Sequence, residues 1–157
     1  CNLTALSGGE VIYLDRVETA APLRFYLQPG SRVPAHCSAS GKILLSQSSP
    51  TQRQRLLADV PLTAYTAKTI TDFDRLEAEI RRVKDAGYAI DDEEFLPGLV
   101  CIAVLVPAPE GRSNLCVAAQ APVMRLTPEK ALRLLPALRR AAEALGRIDA
   151  PSPLEKP

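Results

Sequence analysis

The apolar positions at the start of the chain come in short alternating runs separated by turn residues. Leu3 to Leu6 and Val11 to Val17 flank Ser7-Gly8-Gly9-Glu10, and a Gly-Gly pair between β-prone runs predicts a hairpin. Pro22 to Leu27, with Leu23, Phe25 and Leu27 on one face, predicts a third strand that ends at Pro29-Gly30. The period then lengthens. Ser38 or Ser40 caps a predicted helix that runs to about Gln47. Ser49-Pro50-Thr51-Gln52 has capping-box spacing with proline in the first turn, and opens a short helix through Leu57. A threonine-rich loop from Pro61 to Ile70 leads to the cap Thr71-Asp72. The next helix shows Phe73, Leu76, Ile80 and Val83 as one apolar stripe and stops at Gly87.

Beyond Gly87 the two-residue period returns. Tyr88 to Asp91 predicts a fourth strand. Leu99 to Val106 predicts a fifth, and its unbroken apolar run predicts burial on both faces. Pro107 to Arg112 is a turn, and Asn114 to Ala121 a sixth strand. Thr127-Pro128-Glu129 caps a last helix, which Pro136 should kink or interrupt. Asp149 to Pro157 is a proline-rich tail, expected to be disordered. The order is three strands, three helices, three strands and a helix. It predicts an α+β domain with a mainly antiparallel sheet, because hairpins outnumber parallel crossovers.

Composition narrows the class. A chain of 157 residues that is 46% hydrophobic is long enough and apolar enough for one domain with a real core. A net charge of +1 excludes a strongly basic nucleic-acid surface for the chain as a whole. No stretch has the length of a membrane helix, and no signal-peptide pattern opens the chain. Cys1, Cys37, Cys101 and Cys116 form no CxxC pair, and Cys101 and Cys116 lie in apolar runs. They read as small core residues of a reduced, cytosolic protein. Because the chain opens on Cys1 already in a strand-like run, a domain cut from a longer protein is expected.

Candidate chemistry is sparse. Ser40-Gly41-Lys42 fails as a phosphate loop, since His36 and Ile43 stand where that pattern needs Gly and Ser or Thr. What is left is a helix start whose N–H groups can take an anion, against the plainer reading of an ordinary capped helix. His36 is the sole histidine, so any thiol–imidazole pair must join it to Cys101. A core cysteine and a loop histidine are the simpler reading. Asp91-Asp92-Glu93-Glu94 reads as a metal site, a general-acid pair or a structural turn. Strand alternation lets at most about half of the four share one site. Arg133, Arg139, Arg140 and Arg147 on the last helix lack aromatic partners and read as a solvated face.

Six segments in order carry a family resemblance: Gly-Gly-Glu-Val-Ile-Tyr-Leu-Asp-Arg-Val (8–17), Pro-Ala-His-Cys-Ser-Ala-Ser-Gly-Lys (34–42), Thr-Ala-Lys-Thr-Ile-Thr-Asp (66–72), Gly-Tyr-Ala-Ile-Asp-Asp-Glu-Glu (87–94), Gly-Leu-Val-Cys-Ile-Ala (98–103) and Ala-Pro-Val-Met-Arg-Leu-Thr (121–127). Together they resemble the C-terminal effector-binding domain of IclR-type bacterial transcription regulators, over residues 1–148. The resemblance implies a GAF-like or profilin-like domain with a six-stranded sheet. It implies a small-molecule sensor for an organic acid or aromatic metabolite, with no catalytic residues, metal or cofactor, in a homodimer or homotetramer. DNA would be bound only by an N-terminal winged helix-turn-helix absent from this sequence.

Matched residue by residue, the resemblance assigns effector contacts to Ala39, Ser40 and Gly41, to Asp91, to Leu99 and Cys101, and to Ala118 and Gln120. Leu23 and Phe25 form a looser apolar wall. Asp92 to Glu94 are then structural or solvated. Family members that bind small carboxylates often carry hydroxyl side chains where Ala118 and Gln120 stand, so a larger or less polar effector is expected. An enzyme of related fold using Cys101 or the acidic cluster, and an oligomerisation module with an empty pocket, are the alternatives.

Overall fold

The computed structural model describes residues 1–21, 25, 27–109 and 111–148. β1 (Asn2–Ser7) and β2 (Glu10–Arg16) form the expected hairpin. Gly8 turns it at φ 62°, a left-handed conformation that side-chain-bearing residues avoid. β3 is Arg32–Pro34. A 3-10 turn (Ala35–Cys37), α1 (Ala39–Leu45), α2 (Pro50–Leu56) and α3 (Phe73–Ala86) follow. After them come β4 (Ala89–Asp92), β5 (Leu99–Leu105), β6 (Leu115–Pro122), α4 (Pro128–Leu132) and α5 (Leu135–Ile148). The strands make one six-stranded sheet in the order β3-β2-β1-β6-β5-β4, every neighbouring pair antiparallel.

Both faces of the sheet are covered, which is why β5 has no polar alternation. Leu99, Cys101 and Ala103 point to one side, where Ala39, Ile43 and Leu44 of α1 and Val83 of α3 meet them. Val100, Ile102 and Val104 point to the other, against Ala131 of α4 and Leu138 and Ala142 of α5. The helix ends follow their local signals. Asp72 caps α3 by accepting from the Arg75 N–H, and Gly87 closes it at φ 72°. Ser49 and Gln52 complete a capping box on α2.

Two expectations are refined. The strand expected over Pro22–Leu27 falls mostly outside the described residues, Leu23 included; Phe25 and Leu27, which are described, lie outside any strand, and β3 is Arg32–Pro34. The Gly30 N–H bonds the Tyr13 carbonyl at 2.7 Å, and the Tyr13 N–H bonds the Ser31 carbonyl at 3.0 Å. Among the described residues, backbone pairing with β2 on this side begins at Gly30, and Val33 pairs with Val11. β3 ends in proline, which an edge strand tolerates because one side of it has no ladder to donate into. The last helix is divided, as Pro136 demanded. α4 ends at Leu132, the residue whose carbonyl a proline four positions on cannot donate to and would strike with its ring. The tail Asp149–Pro157 lies outside the described residues.

Candidate functional site

The site begins with Ser38. Its backbone is extended, and its hydroxyl accepts from the Gly41 N–H at 3.1 Å while donating to the Pro34 carbonyl at 3.0 Å. This holds the 3-10 turn against the first turn of α1. Gly41 makes the approach possible: a Cβ there would lie 2.1 Å from the Ala35 carbonyl oxygen. Gly41 is therefore a packing residue, and it does not line the closed cavity described below. Ala39 and Ser40 face the sheet, and the Ser40 hydroxyl reaches the Cys116 thiol.

Asp91 lies opposite on β4, 1% exposed. Its Oδ1 accepts from the Glu94 N–H at 2.7 Å and, at 3.4 Å, from the Phe95 N–H. Burial pushes its carboxyl up to about 7; the Glu94 N–H opposes that rise and the Glu94 charge adds to it. The remaining acids divide by partner. Asp92 and Glu93 bind Lys68 at 3.0 and 2.9 Å, and Glu93 also caps the Gly98 N–H at 2.7 Å. Glu94 turns inward to Lys42 at 2.5 Å. The acidic run is thus one buried carboxylate followed by a braced turn. Among the described residues no cluster of His, Cys, Asp and Glu could hold a metal.

In the sequence Lys42 stands out only through the phosphate-loop pattern that it fails to complete. In the fold it is 1% exposed, and its ammonium joins Glu94 of the turn and Glu79 of α3, the latter at 3.3 Å. Glu79 is held in turn by Arg82 at 2.8 Å. The network ties α1, α3 and the turn after β4 into one piece behind the site.

These elements enclose a cavity of about 10 Å³, room for about one water. Its walls include Ala39, Ser40, Asp91, Leu99, Cys101, Ala118 and Gln120, all named from sequence. Phe25 packs on the same apolar cluster from outside, and Leu23 is not among the described residues. Tyr13, Val33, Ser38 and Phe95 complete the wall. Tyr13 was detectable as an alternating partner of Val11 on β2. Phe95 carried no local signal. A second, open cleft of about 370 Å³ adjoins the cavity, lined by Arg16, Val17, Phe25, Leu27, Gln120 and Arg125 among others.

No nucleophile is prepared here. The Cys101 thiol donates to Gln120 Oε1 at 3.9 Å, and burial raises its pKa well above that of an ordinary thiol. His36 gives its Nε2–H to the Thr63 carbonyl at 3.0 Å, and burial lowers its pKa. Cysteine and histidine therefore have separate partners. Cys37, Cys101 and Cys116 are buried free thiols, as expected of small core residues, and Cys1 is exposed. Arg133, at the end of α4, and Arg139, Arg140 and Arg147 of α5 are solvent-exposed.

A helix start, a buried strand-end carboxylate and a buried thiol thus meet around a closed cavity under a six-stranded antiparallel sheet flanked by helices. The chain belongs to the family described as "Bacterial transcriptional regulator IclR C-terminal", which it matches over residues 1–147. It is 46% identical over 145 residues to the "Probable transcriptional regulator SauR" of Cupriavidus necator, covering 92% of this chain and 58% of that protein. It is 31% identical over 144 residues to the HTH-type transcriptional regulator BhcR of Paracoccus denitrificans, with 92% and 52% coverage. The inducer-binding domain of the Acinetobacter PobR transcription factor, solved as a double mutant with 3-hydroxybenzoic acid, superposes with a TM-score of 0.87. That match is at 26% identity and covers 94% of this chain and 87% of that one. The chain spans just over half the length of the two curated relatives. No helix among the described residues is long and apolar enough to cross a membrane.

Proposed function

We propose that this chain is the effector-sensing domain of an IclR-type transcription regulator. It binds an organic acid or aromatic metabolite and passes the binding to an N-terminal winged helix-turn-helix on the same polypeptide. The observation that carries the reading is the meeting of Ala39, Ser40, Asp91, Leu99, Cys101, Ala118 and Gln120 around one cavity. The Ala39–Ser40 backbone and the Ser40 hydroxyl supply polar contacts. Asp91 accepts or donates according to its protonation, and Leu99, Cys101, Ala118 and Phe25 cover the carbon body. The full-length protein works as a cytoplasmic homodimer or homotetramer, and the domain is of the GAF-like or profilin-like type.

Binding changes DNA affinity only by favouring one arrangement of the two domains. The braced Lys42 network behind the site is the stiff element through which a local change is felt at α3. The enzyme alternative asks for an activated Cys101, and burial acts against that.

The test is a thermal-shift screen of organic and aromatic acids, followed by Ser40→Val and Asp91→Ala. An effector at about one hundred times its Kd stabilises by about 2.7 kcal/mol, a rise of about 5–10 °C for a chain this size. Loss of the shift in either variant supports sensing. A broad panel with no hit favours the oligomerisation module.

A further inference from the structure

Gln120 lines both the closed cavity and the open cleft. It stands on β6 directly across from Cys101 on β5, so the two side chains share one face of the sheet. Its Oε1 accepts from the Tyr13 hydroxyl at 3.2 Å and from the Cys101 thiol at 3.9 Å. A single amide is thereby drawn across the boundary between the two spaces, tethered to β2 on one side and β5 on the other. The inner space of about 10 Å³ admits no organic molecule. The outer cleft of about 370 Å³ falls within the range of small-molecule sites. The polar contacts of the proposed site lie in the first and the available volume in the second. Gln120 itself is only half-buried, so its side chain has room to swing outward, whereas Tyr13 and Cys101 are buried.

We propose that Gln120 is the gate and size filter of the effector site. Resting on the sensing function proposed above, the gate has the effector collect in the outer cleft. The effector then breaks the Tyr13–Gln120 hydrogen bond and extends its polar end toward Ser40 and Asp91. The occupant is therefore an elongated acid that spans both spaces, with an apolar or aromatic middle against Phe25. A two-carbon acid is too short to reach from the outer cleft past Gln120 to Ser40 and Asp91, and leaves the gate's acceptor without a replacement for the Tyr13 hydroxyl.

The gate can be tested without knowing the effector, because Cys101 lies on its inner side. The rate at which Cys101 is mercurated by methylmercury and by the bulkier p-chloromercuribenzoate is followed by peptide mapping in wild type, Gln120→Ala and Tyr13→Phe. Cys37 and Cys116, each 0% exposed against 7% for Cys101, lie outside the cavity wall, so a rise in their labelling reports general loosening. Gln120→Ala should raise Cys101 labelling at least about tenfold, more for the bulky reagent. Tyr13→Phe, which removes one neutral hydrogen bond, should raise it about fivefold. Cys37 and Cys116 should stay at wild-type rates. Unchanged Cys101 rates overturn the gate, and so does acceleration of all three buried thiols together. A passing gate with no effector found in the thermal-shift screen would separate this inference from the sensing function, which would then fail alone.

Discussion

Asp91 offers the sharpest test of the site's electrostatics. The perturbation is Asp91→Asn, which keeps the Oδ1 acceptor for the Glu94 N–H and removes the charge. In the folded chain burial raises the carboxyl from 3.8 to about 7. Below about pH 4 the group is neutral folded and unfolded, and it adds no pH dependence. Between about pH 4 and 7 the unfolded chain has released its proton and the folded chain retains it. The folded state therefore binds more protons, and stability falls as pH rises, by up to about 1.4 kcal/mol per pH unit. Above pH 7 both states are ionised and the loss is constant. A gap of about three units sets an upper bound of about 4 kcal/mol. The substituted amide does not titrate, so the variant's advantage should be smallest near pH 4.5, about 1 kcal/mol or less, and largest at pH 8. For a domain this size the excess is up to about 8–16 °C in Tm. Glu94 adds to the effect in the same direction, since removing the Asp91 charge relieves their repulsion. Urea denaturation and thermal unfolding at pH 4.5, 6 and 8 provide the measurement. A wild-type-to-variant difference independent of pH, or a variant less stable at pH 8, would refute the reasoning.

The remaining predictions concern the scaffold behind the site. Lys42→Met leaves Glu94 buried beside an apolar side chain and should cost about 3–5 kcal/mol in denaturant unfolding. Lys42→Met with Glu94→Leu should recover most of that, because no uncompensated buried charge remains; a double variant no better than the single one would contradict this. Gly41→Ala drives a methyl into the Ala35 carbonyl and should lower stability by about 3 kcal/mol, with a matching fall in Tm. An unchanged Tm would mean that the 3-10 turn moves freely, against the cap hydrogen bonds that hold it.

Legibility followed the range of the interactions. The helix starts at Ser49 and Asp72, the stop at Gly87 and the break before Pro136 rest on groups within four residues of one another. The continuous apolar run of β5 announced a strand covered on both faces, and α1 and α5 supply the covers. β3 went unread because Arg32-Val33-Pro34 is short and lacks alternation. Its pairing comes from β2 and not from its own residues. The site residues were named through the ordered motifs of the family resemblance, and composition alone would not have assembled them.

By itself the sequence determined where most of the elements begin and end, which faces are apolar, and that no stretch suits a membrane or a basic nucleic-acid surface. Backbone capping, side-chain period and proline chemistry act locally, so they are written locally. Only the tertiary structure decided that Lys42 is buried between Glu79 and Glu94, residues 37 and 52 positions away. It also decided that Tyr13 and Cys101 meet on Gln120. The physical reason is the same in each case. Burial and charge pairing depend on what the antiparallel sheet brings across from distant strands, and no local pattern encodes the neighbour that supplies the partner.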